Sequence, residues 1–217
     1  MAFARLLVVF WFVLWINYLV ATYAAENKSL QLITARDLGF RCPRTIVANH
    51  VSHGWLQEEN VAIKALDSFL LRRNESDLFF YTTCVQPREL RNEECQDMPM
   101  IMQEFVRPKR DVRVTVIGNR CFPAETVEEV DGDWRVLKER TRFRSCNLPG
   151  KLAEACVALV RRLGLVYGAI DLARVGEEYL FFEINPTGEW AWIDEVFDGS
   201  ITNALVEHLV AATHQHD

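Results

Sequence analysis

Asp171, Glu183 and Asn185 are the residues whose types and spacing could do chemistry. They sit in "VYGAIDLARVGEEYLFFEIN", two apolar runs separated by Gly176. Side chains of an extended strand alternate between faces, so Glu183 and Asn185 share one face and Ile184 takes the other. A carboxylate in so apolar a strand is costly unless a cation or hydrogen bonds compensate it. If the chain folds back at Gly176, the path from Asp171 to the turn roughly matches the path from the turn to Glu183. Two acids and an amide oxygen would then cluster. Such hard oxygens suit Mg²⁺, which takes few protein ligands and completes its shell with water and phosphate oxygens. The plainer reading leaves all three on a solvated sheet edge, and spacing alone does not decide between them.

Three cations raise a matching question. Lys64 interrupts the apolar run "NVAIKAL" and must snorkel or meet an anion. Lys28 opens a helix, where the dipole mildly disfavours a cation unless something negative lies nearby. Arg113 stands on an otherwise apolar strand. Each alone reads as a solvated surface residue. Together they would face a triphosphate, with the carboxylates holding metal on the other side.

The elements that must position these groups follow from periodicity. "ENKSLQLITARDLGFRCPRTIVAN" predicts a helix with an apolar face from Leu30, Leu32, Ile33 and Leu38, a cap at Gly39, and an extended segment after Pro43. Strands are expected in "NVAIKALDSF", "DLFFYTTCV" and "PMIMQEFVRP", the last carrying Gln103 and Glu104. "PRELRNEECQD" reads as a polar, helix-compatible linker. "DVRVTVIGNRCFPAETVEE" alternates Val112, Val114 and Val116 against Arg113, Thr115 and Ile117, with a turn at Gly118-Asn119. "DGDWRVLKERTRFRSCNLPG" reads as a loop, "KLAEACVALVRRLGL" as an amphipathic helix, and "SITNALVEHLVAAT" as the last helix. The order is mixed α/β (α+β) with antiparallel strand pairs.

The 217 residues carry a net charge of −6, so no basic field argues for nucleic acid. The six cysteines show no metal-binding spacing and are expected to be reduced thiols in a cytoplasmic protein. The start, "RLLVVFWFVLWINYLVATYAAEN", admits three readings. It is marginal as a membrane anchor. It also resembles a signal peptide with small residues at Ala24-Ala25, and two Asn-x-Ser triplets, at Asn27 and Asn74, would suit a secreted chain. The third reading is a buried element of a soluble domain.

The sequence resembles the ATP-grasp superfamily, specifically the microviridin-type ribosomal-peptide maturases and the ribosomal-protein glutamate ligases. The matching stretches are "AENKSLQL", "LGFRCPRTIVAN", "VAIKAL", "MQEFV", "DVRVTVIGNR", "DWR" and "GLVYGAIDLARVGEEYLFFEINPTGEWAWID", in family order. The resemblance implies an ATP-grasp fold in which two subdomains with antiparallel sheets clamp ATP. It implies that Lys28 and Lys64 contact phosphates, and that Gln103, Glu104 and Val106 form the adenine hinge with Phe105 directed away. Asp111 would lie near the ribose and Arg113 would face the transferred phosphate. Arg135 would sit near the acceptor carboxylate, although Asp133-Trp134-Arg135 also reads as an ordinary turn. Asp171, Glu183 and Asn185 would hold Mg²⁺, with Mn²⁺ as an alternative. Many relatives have Gln where this chain has Glu189, which would make the pocket beyond the metal more acidic.

"LWINYLVATYAAENK" is similar to the junction that closes the family's preceding domain, with Tyr18 in place of a usual proline. Residues 1–25 are therefore expected to be the apolar remnant of that domain, and 26–217 the ATP-grasp domain, divided into 26–105 and 106–217. Most of the preceding domain is expected to be missing, which favours the buried reading of the start without closing the membrane one. The implied activity is an ATP- and Mg²⁺-dependent ligase that joins a carboxylate to an amine or hydroxyl through an acyl phosphate. Its partner would be a peptide or protein substrate, and a homodimer is left open. The alternative is a truncated, non-catalytic nucleotide- or peptide-binding remnant.

Overall fold

The computed structural model describes residues 14–50, 53–56, 59–66, 70–73, 76–79, 82–89, 99–132, 134 and 141–213. Helix α1 (Leu19–Ala25) leads almost directly into α2 (Lys28–Asp37). Asn27 caps α2, its side chain accepting a hydrogen bond from the Leu30 amide. Gly39, at φ +85°, turns the chain out of the helix, the left-handed conformation that glycine adopts without strain.

A four-stranded antiparallel sheet follows. It is built from β1 (Thr45–Ala48), β2 (Val61–Ala65), β5 (Thr83–Val85) and β6 (Met100–Glu104), in the order β1-β6-β2-β5. The short helix α3 (His53–Leu56) places Trp55 against Val61 and Met102, the small core of this sheet. The run expected as one strand in "DLFFYTTCV" is divided. Strand β4 (Ser76–Phe79) pairs with β3 (Leu70–Arg73) in a separate ribbon, and only the Thr83–Val85 part joins the sheet.

The second sheet is larger. Strands β7 (Arg110–Ile117), β8 (Arg120–Thr126), β9 (Phe143–Ser145), β10 (Tyr167–Val175) and β11 (Glu178–Asn185) lie in the order β11-β10-β7-β8-β9, all antiparallel. The segment read as a loop around 131–150 supplies β9, which pairs Ala124 with Ser145 and Thr126 with Phe143. Its polar sequence conceals a strand because Arg144 is matched by the carboxylate of Glu125 across the pair.

Two apolar layers back this sheet. Val112, Val114, Val116, Ile170, Leu172 and Phe181 face Leu32 and Ala35 of α2 and Cys156, Leu159 and Val160 of α4 (Gly150–Arg162). On the opposite face, Ile117, Phe122, Ala124 and Tyr167 are covered by Ile193 of α5 (Ala191–Asp194) and by Ile201, Ala204 and Leu205 of α6 (Ser200–Thr213). That second cover stops partway along the strands. Beyond it the same face carries Asp111, Arg113 and Asp171, all buried, and opens towards the first sheet. The link between β6 and β7 contains the division expected at 105/106, while α2, from the earlier half, lies on the larger sheet.

Candidate active site

The hairpin of β10 and β11 pairs Asp171 with Glu183 and Ala169 with Asn185. Asp171 is also directly opposite Arg113 on β7. Cross-strand partners project to the same face, so Arg113, Asp171 and Glu183 form one row across three strands. The two-residue period would put Phe181 in that row too, yet Phe181 is fully buried in the helix-side core. A bulge resolves the conflict: Leu172 pairs with Phe181 and Asp171 with Glu183, leaving Phe182 as the extra residue. Phe182 and Glu183 consequently line the same cleft despite being consecutive. No periodicity reading of "YLFFEIN" reveals the bulge.

The cleft runs between the sheets, with an empty volume of about 620 Å³ including its mouth. The smaller sheet contributes Ala62, Lys64, Cys84, Gln103 and Glu104, and the link after it Phe105 and Val106. The larger contributes Lys109, Asp111, Asp171, Phe182 and Glu183. Phe105 borders the cleft, and its ring lies 5.5 Å from the guanidinium carbon of Arg107, which is not part of the lining. Gln103 is buried and donates to Thr45 Oγ1 at 2.9 Å, so its amide orientation is fixed. The Glu104 amide donates to Arg44 O and its carboxylate accepts from the Arg44 amide, holding the chain where it leaves β6. The Phe182 ring lies beneath two ammonium groups, 5.1 Å from Lys64 Nζ and 5.7 Å from Lys109 Nζ.

Each acid on the charged row has a basic neighbour. Arg113 Nη1 is 3.0 Å from Asp171 Oδ1, with both side chains buried. Lys28 Nζ is 3.0 Å from Glu183 Oε2, and Lys109 is paired with Asp111. Lys28 therefore meets a carboxylate here, which explains a cation at the first position of α2. Arg113 Nη1 is thus held in the ion pair with Asp171, whereas its Nε is buried and makes no hydrogen bond among the described residues. Its guanidinium lies 5.8 Å from the Trp134 ring and 5.9 Å from the Trp192 ring. An anion reaching Arg113 would find the Nε donor unused in a site with little water to compete. Arg135 lies outside the described residues.

Asn185 shares the face of Glu183 but its Oδ1 accepts from Thr187 N at 2.9 Å and Thr187 Oγ1 at 3.2 Å. The turn it begins is closed further by Tyr167, whose hydroxyl donates to Gly188 O. Burial pushes the Tyr167 phenol up to about 12, so it remains a donor. A Cβ on Gly188 would lie 2.7 Å from Ala169 Cβ, which requires glycine where the turn touches β10. Among the described residues no three His, Cys, Asp or Glu converge as a metal cage. Two acids and an amide are a smaller set, and they fit a cation that takes most of its shell from elsewhere. A cation there would have to replace Arg113 and Lys28 as counter-charges.

Three site-building residues escaped sequence reasoning. Lys109 pairs with Asp111 beside the cleft. Gln31, on α2, donates to Ile184 O at 2.8 Å and accepts from Ile184 N at 3.1 Å, fixing the residue between Glu183 and Asn185. Asn17 makes four hydrogen bonds to backbone around the same turn. A polar residue inside an apolar run was the available signal for Asn17; Gln31 had none, because the helix buries Gln31, Leu32, Thr34 and Ala35 and leaves Leu30 and Ile33 of the expected apolar face exposed.

Two antiparallel sheets closing on a cleft lined by carboxylates and lysines define an ATP-grasp fold. Residues 82–209 match the RimK-like ATP-grasp domain, and the chain belongs to that family. It is 28% identical over 120 residues to a protein of Xanthomonas oryzae pv. oryzae named "Probable alpha-L-glutamate ligase", covering 50% of this chain and 38% of the relative. Among solved structures, it resembles the macrocyclase MdnC of Microcystis aeruginosa bound to precursor peptide MdnA. The TM-score is 0.74 at 28% identity, covering 88% of this chain and 63% of that one. A RiPP-associated ATP-grasp ligase of Chryseobacterium gregarium, in complex with ADP and a leader and core peptide, shares the fold. Its TM-score is 0.78 at 23% identity over 89% of this chain and 62% of that one. The chain thus spans well under half of the curated relative and less than two thirds of these structures. No helix among the described residues is long and apolar enough to cross a membrane.

Proposed function

We propose that this chain is the nucleotide-binding and catalytic part of an ATP- and Mg²⁺-dependent ligase that joins a carboxylate to an amine or hydroxyl on a peptide. Asp171 and Glu183, facing Lys64 across the cleft, with Arg113 beside Asp171 in the same cross-strand row, carry the reading. Gln103, Glu104 and Val106 bind the base at the edge of the smaller sheet, and Asp111 the ribose side. Lys64 and Lys28 turn to phosphate oxygens. Asp171, Glu183 and Asn185 hold Mg²⁺, which, when bound, neutralises charge on the phosphoryl oxygens. The terminal phosphoryl group passes to the substrate carboxylate, releasing ADP and giving an acyl phosphate. The amine or hydroxyl attacks its carbonyl carbon and loses a proton, inorganic phosphate leaves, and an amide or ester remains. Arg113, desolvated and flanked by indoles, stabilises charge on the transferring group, and Arg135 is assigned to the acceptor carboxylate. Free thiols at Cys42, Cys121 and Cys156 accord with a cytoplasmic setting.

A peptide mixture containing acidic side chains, incubated with ATP, Mg²⁺ and hydroxylamine, tests this. Acyl phosphates are trapped as hydroxamates, so the expected result is hydroxamate formation with stoichiometric ADP. ADP release without hydroxamate would point to simple hydrolysis, and binding of Mg-ATP with neither product would favour the non-catalytic remnant.

A further inference from the structure

Strand β11 stops two residues too early for β10. The register Ala169 to Asn185 would, if continued, pair Gly168 with Pro186 and Tyr167 with Thr187. Proline has no amide hydrogen, and the chain instead turns at Pro186. Val166 O points towards β7, where it accepts from Gly118 N at 2.8 Å. Backbone groups of successive strand residues point to alternate sides, so the amide and carbonyl of Tyr167 point to the side that β11 has left. Both would be unpaired there, at real cost in a partly buried position.

The side-chain amide of Asn17 fills that place. Its Oδ1 accepts from Tyr167 N and from Val166 N, both at 2.9 Å. Its Nδ2 donates to Tyr167 O at 2.8 Å and to Pro186 O at 2.9 Å. Both amide hydrogens and both oxygen lone pairs are used, which is the whole capacity of the group. A primary amide has the geometry of a peptide unit, so one side chain does the work of a strand residue. It also reaches the departing chain at Pro186, the residue that follows Asn185.

We propose that Asn17 is a positioning residue: its amide replaces the strand partner that β10 lacks beyond Asn185, and so fixes the turn that presents Asn185 to the metal–nucleotide site. This rests on the function proposed above. Asn17 does not touch the cleft and acts only through the 185–188 turn. Loss of partners that orient a metal ligand weakens metal affinity by about ten- to a hundred-fold, which sets the expected effect.

The test uses the full chain, with ADP binding followed by calorimetry across a Mg²⁺ series, in wild type, Asn17→Ala and Asn17→Asp. The aspartate keeps the acceptor for Val166 and Tyr167 but loses the donation to Tyr167 O and Pro186 O. Both variants are expected to need roughly ten-fold more Mg²⁺ for half-maximal ADP binding, with affinity recovering at saturating metal. Amide hydrogen exchange at Thr187 and Gly188 should rise in parallel. An unchanged Mg²⁺ midpoint, with or without a lower melting temperature, would show a purely structural role and overturn the proposal. Failure of both variants to fold would overturn it in the same way. A wild-type chain that binds no ADP at any Mg²⁺ concentration would sink the proposed function and this inference with it, an outcome distinguishable because failure of the clamp alone leaves wild-type binding intact.

Discussion

The two sheets meet one cleft with different chemistry. The larger side lines it with Lys109, Asp111, Asp171 and Glu183, each beside an opposite charge. The smaller brings Ala62, Cys84 and Gln103, with Lys64 as the cation that β2 contributes and Glu104 at the end of β6. Their supports differ to match. The charged row crosses β7, β10 and β11, whose other face is buried beneath α2 and α4, and helices α5 and α6 cover the end of its own face. The smaller sheet rests on Trp55, Val61 and Met102. Charges taken out of water need partners at fixed distances, and a doubly covered strand supplies that fixity. A planar base needs a shaped slot and one or two oriented hydrogen bonds, which a lighter sheet can offer.

This contrast is broken most severely at the acids. Glu183→Gln and Asp171→Asn should both abolish ATP turnover, but they should differ in stability. Lys28 and Glu183 keep about a fifth of their side-chain surface exposed, so losing that pair costs about 1 kcal/mol or less. Asp171→Asn leaves Arg113 charged and buried, at about 3–5 kcal/mol. Chemical denaturation of the two variants measures the difference, and equal midpoints would contradict the distinction drawn between the pairs. Arg113→Ala comes next: turnover should fall by about a hundred-fold while ADP affinity changes little, because the charge acts on the transferring group. A loss confined to ADP affinity would move Arg113 to ground-state binding.

Lys64→Ala should weaken ADP binding by about 1–3 kcal/mol, the scale of a charge-assisted contact, and Lys28→Ala by no more than that. Gln103→Leu should cost nearer 1 kcal/mol of affinity with turnover at saturation nearly unchanged. An equally large turnover defect there would erase the division between the sheets. The smallest effect is chemical labelling. Cys84 is exposed on the cleft wall, whereas burial pushes the Cys121 thiol up to about 11 and the Cys156 thiol higher still. Peptide mapping after brief alkylation at neutral pH should find Cys84 modified well before Cys121 and Cys156, and Mg-ADP should slow it several-fold. Unprotected Cys84 would put the nucleotide elsewhere.

Much of the larger sheet was legible because it obeys simple periods. The alternation in "DVRVTVI" placed Arg113 opposite the valines, and the symmetry about Gly176 brought Asp171 to Glu183. The bulge at Phe182 was not legible, since one inserted residue leaves no compositional trace. Strand β9 was hidden because it is short, with Arg144 and Ser145 exposed, and its pairing is reinforced by the Arg144–Glu125 contact across the sheet. The roles proposed for Gln103, Glu104, Val106 and Asp111 rest on resemblance alone, because a base can be bound through backbone groups that any side chain could accompany. What Asn17 and Gln31 bond to was not legible, because they act on main chain roughly 150 residues away.

The central claim is that the charged row of the larger sheet binds a metal–nucleotide in this cleft. Calorimetric titration of the full chain with ADP, with and without Mg²⁺, tests it most directly when repeated on Glu183→Gln. The account predicts saturable one-to-one binding that strengthens with Mg²⁺ in the wild type, and loss of that Mg²⁺ dependence in a folded Glu183→Gln variant. Binding that is indifferent to Mg²⁺, or that survives the substitution with its metal dependence unchanged, would contradict it.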